Sequence, residues 1–156
     1  IDAIKKFSIL NNVSFDKFFT NLQDFIKVVN LLSQYFPELT KSEIAEKLNP
    51  SFAREYDALN KKLIKAVNDD KSIEVISQLL KQGADINFYW RNVGTPLTQA
   101  VVHDRVDIVE FLLNSGANPF VEWPGYGLTA LGVVNNGLAQ LNNDPAVVEK
   151  LNRMKT

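Results

Sequence analysis

Between residues 15 and 36 apolar side chains return at intervals of three and four: Phe15, Phe18, Phe19, Leu22, Phe25, Ile26, Val29, Leu32 and Phe36. That spacing predicts one long amphipathic helix with an aromatic-rich face. Ser14 would open it, and Pro37 would end it by disfavouring helical geometry in the residue before it. Thr40-Lys41-Ser42-Glu43 then has the form of a capping box and predicts a short helix through Leu48. Pro50 interrupts, Ser51 is a candidate second cap, and Phe52, Leu59 and Leu63 carry the apolar pattern onward.

Beyond this point the pattern repeats. Residues 79–87 read LLKQGADIN and residues 112–120 read LLNSGANPF, 33 residues further on. Upstream of them lie KKLIKAVNDDKSIEVISQLL (61–80) and TPLTQAVVHDRVDIVEFLL (95–113), the former one residue longer between its alanine and its Val-Ile pair. In the second copy Leu97, Ala100 and Val101 share one helical face, and Ile108, Val109, Leu112 and Leu113 share a face of the next helix. Thr95 suits an N-cap, Pro96 the first helical turn, and Gly83 and Gly116 the left-handed residue that ends a helix. Each copy is therefore expected to be a pair of short antiparallel helices. One pair cannot bury both of its faces, so neighbouring pairs must stack.

These residues resemble the ankyrin repeat. The match is strongest over 95–118, at Thr95, Pro96, Leu97, Ala100, Ile108, Val109, Leu112, Leu113, Gly116 and Ala117. It departs at Thr98, where the family prefers His, and at Asp104, where it prefers Gly. The first copy has Lys61-Lys62 in place of Thr-Pro. A third opens with Gly127, Thr129, Ala130 and Leu131, then inserts Asn142-Asn143-Asp144 before Pro145 and Val147-Val148. The resemblance covers about residues 58–156, with repeats at about 59–88, 92–121 and a divergent 126–156. It implies an all-α solenoid, preceded over 1–57 by a helical segment that serves as a cap for the first repeat or as a small module.

Composition narrows the function. Seventeen Lys and Arg against eighteen Asp and Glu give a net charge of −1, with no basic surplus to attract nucleic acid. The absence of cysteine removes disulfides, thiolate metal sites and cysteine nucleophiles. No apolar run is long enough to span a bilayer. The chain starts at Ile1 without an initiator methionine, so a fragment or a processed product is expected.

Candidate chemistry is sparse. His103, the one histidine, lacks the second ligand of a helical zinc pair and any motif that would make it a catalytic base. Asp69-Asp70 lacks the alternating ligands of a calcium loop and reads as a solvated turn. Gly125-Tyr126-Gly127 matches neither phosphate-binding glycine spacing. A rival signal lies at 39–48, LTKSEIAEKL, which is similar to the first helix of a helix-turn-helix. A recognition helix would then begin near Ser51 and present Arg54, although Pro50 sits in the turn and Glu55 beside the arginine.

The signal that carries function is the pair of tryptophans. Trp90 and Trp123 stand seven residues after Gly83 and Gly116, near the tips of the hairpin fingers that the resemblance implies. Trp, Tyr and Arg are enriched at interface hot spots. The ordinary alternative is that the rings fold down and fill gaps between hairpins. The expected function is binding of a protein partner through the concave surface and finger tips, with contacts at Trp90, Arg91, Asn92, Val102, His103, Trp123, Tyr126 and Asn136. No catalysis, cofactor or metal is expected, nor a membrane or nucleic-acid partner, and without its partner the chain is expected to be monomeric. Alternatives are a regulatory or substrate-docking domain of a larger enzyme, or DNA binding through 39–56. The expected location is cytoplasmic, or the host cytosol if the chain is a bacterial effector, as its Asn- and Lys-rich usage hints.

Overall fold

A computed structural model describes residues 19–122 and 129–135, with the isolated positions 145 and 149. The chain divides into two compact units, residues 1–59 and 60–156, and the division falls inside a continuous helix. Among the described residues all regular structure is helical, apart from one isolated bridge between Trp90 and Gly94.

In the first unit, α1 (Leu22–Tyr35) is capped by Asn21, whose side chain accepts from the Asp24 amide at 2.9 Å. Residues 19–21 are not helical, so this helix does not start at Ser14, which lies with Phe15 and Phe18 outside the described residues. The short polar side chain of Asn21 satisfies a free first-turn amide and so sets the boundary seven residues later than the apolar spacing suggests. At the other end Phe36, ahead of Pro37, leaves the helical region at φ −127.

The capping box at Thr40 is formed. Glu43 N–H donates to Thr40 Oγ1 at 3.1 Å, and Thr40 N–H donates to Glu43 Oε1 at 3.3 Å, opening α2 (Lys41–Leu48). A single residue, Asn49, separates α2 from α3 (Pro50–Asn68). Asn49 Oδ1 accepts from the amides of Ser51 and Phe52 at 3.0 and 3.1 Å, so Asn49 rather than Ser51 is the cap, and Pro50 fills the first helical position. A DNA-binding helix-turn-helix has a turn of about three or four residues; here one residue connects the helices, and the rival reading of 39–56 loses its geometric basis. The core of this unit is aromatic: Phe25 stacks on Phe52 at 5.3 Å, and Phe19 meets the edges of both.

The second unit has α4 (Ile73–Lys81), α5 (Pro96–Val102), α6 (Val106–Asn114) and α7 (Ala130–Asn135), besides the end of α3. α5 packs against both α6 and α7, and α4 packs against α6. First helices thus neighbour first helices and second helices neighbour second helices, as a two-layer repeat stack requires. Thr95 and Thr98 close a reciprocal box at the start of α5, with Pro96 at its first turn. The threonine standing where His is preferred therefore has a structural task. Gly83 and Gly116 adopt φ +104 and +94. Around each, the next alanine amide donates to the carbonyl five residues back (Ala84 to Leu79, Ala117 to Leu112) and the glycine amide donates to Leu80 or Leu113, which is the Schellman arrangement. Leu97, Ala100, Val101, Ile108, Val109, Leu112 and Leu113 form the core of this pair.

The one-residue difference between the copies falls in the inter-helix turn. Asp70 and Asp104 take equivalent left-handed conformations, φ +61 and +55. Two residues then lead into α4 and one into α6, so α4 gains the Ser72 side-chain cap while α6 starts from Arg105 without one. Asp70 is exposed, as a turn residue should be, and its carboxylate pairs with Arg105 of the next turn.

Candidate partner-binding surface

The finger between α4 and α5 is built by short polar side chains that bond to the backbone. Asp85 N–H donates to Oδ1 of the fully buried Asn60 at 2.7 Å, anchoring the finger's root to α3. Asn87 N–H donates to Asp85 Oδ1 at 3.0 Å, and Phe120 N–H donates to Asn118 Oδ1 at 2.9 Å, equivalent Asx turns in successive fingers. The two are tied together where Asn118 N–H donates to Asn87 Oδ1 at 2.7 Å. Buried Phe88 roots the finger apolarly.

Trp90 then starts a closed turn. Its N–H donates to the Gly94 carbonyl, and the amides of Val93 and Gly94 donate back to the Trp90 carbonyl, each at 2.9 Å. Asn92 and Gly94 supply the positive φ values, +67 and +117, that reverse the chain so tightly. From below, Gln99 of α5 donates through Nε2 to the Val93 carbonyl at 2.6 Å. A finger held at this many points keeps its tip oriented while exposing it.

At that tip Arg91 and Asn92 are exposed. The Trp90 ring is half-buried, because the ammonium groups of Lys61 and Lys65 on α3 lie 5.3 and 5.8 Å from its centroid. This differs from a freely projecting ring and also from a core ring: the indole lies against cations, an attraction of about 0.5–2 kcal/mol for each well-placed contact. Val102 is half-buried at the end of α5, and His103 caps that helix with an exposed side chain. Trp90, Arg91 and Asn92 are thus gathered in one turn, and Val102 and His103 at one helix end. Trp123, Tyr126 and Asn136 lie outside the described residues.

Lys61 and Lys65 were not among the expected contacts. Their i, i+4 spacing puts them on one helix face, a signal available in the sequence but hidden because Lys61-Lys62 reads first as a departure from Thr-Pro. Asn60, Asn87 and Gln99 hold the finger from elsewhere in the chain, and only the three-dimensional pairing assigns them that task. Among the described residues no group of three or more His, Asp or Glu is arranged to hold a metal ion. No described helix is long and apolar enough to cross a membrane.

Short antiparallel helix pairs, stacked in two layers and joined by a projecting turn, define an ankyrin array. The family model for ankyrin repeats (3 copies) matches residues 27–131, and the chain belongs to the ankyrin-repeat family. The match begins within α1, upstream of the repeat that starts at about residue 59. The chain is also 48% identical over 61 residues to the human 2-5A-dependent ribonuclease, a stretch covering 38% of this chain and 8% of that protein.

Proposed function

We propose that this ankyrin array binds a protein partner through its concave side, with the Trp90-Arg91-Asn92 turn as the principal contact and Val102 and His103 beside it. The carrying observation is the combination of a half-buried indole with an exposed tip, both fixed by the Trp90–Gly94 bridge and by Gln99. A rigid tip loses little entropy when it docks, and a tryptophan supplies large contact area from few rotamers. In the sequence Trp123, Tyr126 and Asn136 stand 33 residues after Trp90, Val93 and His103 and are the corresponding candidates of the next repeat. Catalysis belongs to no residue of this reading.

A second reading is favoured by the ribonuclease match: the array is the regulatory or docking part of a larger enzyme. Since the shared stretch is 8% of that protein, its activity and its dependence on 2-5A are not carried over. Both readings keep the finger as the contact.

The double variant Trp90→Ala/Trp123→Ala tests the proposal. Its melting temperature should stay within a few degrees of the parent, while affinity for a partner isolated with the parent chain falls about thirtyfold or more, the loss of about 2 kcal/mol expected of a hot spot. A collapsed melting temperature, with residual binding that tracks only the folded fraction, would make the rings structural.

A further inference from the structure

A groove of about 370 Å³ runs between α3 and α4 in the second unit, lined by Lys62, Lys65, Ala66, Lys71, Val75 and Leu79 together with Asp69 and Gln82. Its origin is two helical faces laid side by side. Lys62, Lys65 and Ala66 follow i, i+3, i+4 on α3, with Asp69 in the turn just beyond its end, and Val75, Leu79 and Gln82 follow i, i+4, i+7 from α4 onward. The floor is aliphatic, and Val75 keeps 39% of its surface exposed. The rim carries three lysines against one aspartate, in a chain whose net charge is −1. Among the described residues none of those three lysines forms an ion pair.

We propose that this groove receives an acidic, aliphatic segment of the protein partner, in which carboxylates meet Lys62, Lys65 and Lys71 and an aliphatic side chain covers Val75. The inference rests on the protein-binding reading above and names the chemistry of what is bound. Charge complementarity selects a negatively charged occupant, and the floor selects among the anions. Ala66, Val75 and Leu79 offer aliphatic contact and no aromatic platform for a base, and Asp69 repels a continuous line of phosphates. From Lys62 to Asn68 the helix rises about 9 Å, which matches about three residues of extended peptide. Lys65 also lies over Trp90, so the same side chain borders both the groove and the finger.

The test uses the full chain. A phage-displayed library of random 12-residue peptides is panned on it, and the enriched peptides are synthesised with a fluorescent label. Their affinities are measured against the parent, against the two groove variants Lys62→Glu/Lys71→Glu and Val75→Lys, which leave the lysines over the indole in place, and against Trp90→Ala, with a 12-nucleotide single-stranded DNA as competitor. Every side chain altered in the two groove variants is exposed, so both should retain the parent's circular dichroism and melting temperature. The expected result is peptides that combine Asp or Glu with Leu, Ile or Val, with affinity falling about tenfold or more in both variants and no competition from DNA. Basic consensus peptides, no enrichment, unchanged affinity in the two variants, or DNA that binds and is lost in the lysine variant would each overturn the proposal. Failures of the two readings separate cleanly. Binding lost only in Trp90→Ala removes the groove and leaves the finger, whereas binding lost only in the groove variants does the reverse.

Discussion

The pairs α3–α4 and α5–α6 come from the same repeat pattern but stand in different surroundings. In α5 every residue from Pro96 to Val101 is buried, and α6 buries Ile108, Val109, Leu112 and Leu113, because α5 has α7 as a neighbour and α6 has α4. The α3–α4 pair leaves Val75 exposed and a lysine-rimmed groove open. The difference lies in the residues as much as in the position. Where Thr95-Pro96 start a tight buried helix, Lys61-Lys62 occupy the same place in the earlier copy and put charge on the surface. One pair is therefore enclosed by its neighbours, and the other keeps a charged, partly open face.

That contrast can be broken by substitution. Leu112→Ala, at a site with no exposed surface, should cost about 2–5 kcal/mol in urea or thermal unfolding. A negligible loss would mean that the pair is not enclosed. Leu79→Ala, whose site opens onto the groove, should cost less than Leu112→Ala in the same assay; equal costs would erase the distinction between the pairs.

Caps sharpen the comparison at the next level. Thr95→Ala removes the side chain that accepts the Thr98 amide in a buried box, and should cost about 1–2 kcal/mol. Ser72→Ala, at an exposed cap with a 3.4 Å bond, should cost about half that or less. Smallest of all, Asp70→Asn keeps a residue tolerant of the left-handed conformation and loses only the pairing with Arg105. It should cost under about 1 kcal/mol, and less still in high salt.

Much of the array was legible in the sequence, because its signals are local. Thr95, Pro96, Gly83 and Gly116 act on their own helix ends, and Leu97, Ala100, Ile108 and Leu112 keep a helical period. Two boundaries were misread for one reason. Asn21 and Asn49 are the caps used, and the apolar spacing or the serine nearby was the stronger visible cue. The candidate surface was less legible. Trp90, Arg91 and Asn92 announce a finger tip by position and residue type, but the lysines over the indole come from a helix 25 to 29 residues earlier. The same holds for Asn60 and Asn87, whose acceptors serve backbone amides 25 and 31 residues away.

The central claim is that the finger tip, and not the exposed side of α6, meets the partner. A photo-crosslinking side chain placed at that tip reads this directly: Arg91→benzoylphenylalanine, compared with Glu110→benzoylphenylalanine on the exposed side of α6, in extract from the source cell. The predicted result is a discrete protein adduct from position 91 that disappears when Trp90→Ala is added, with none from position 110. Adducts of equal yield from both positions, or a position-91 adduct indifferent to Trp90→Ala, would contradict it.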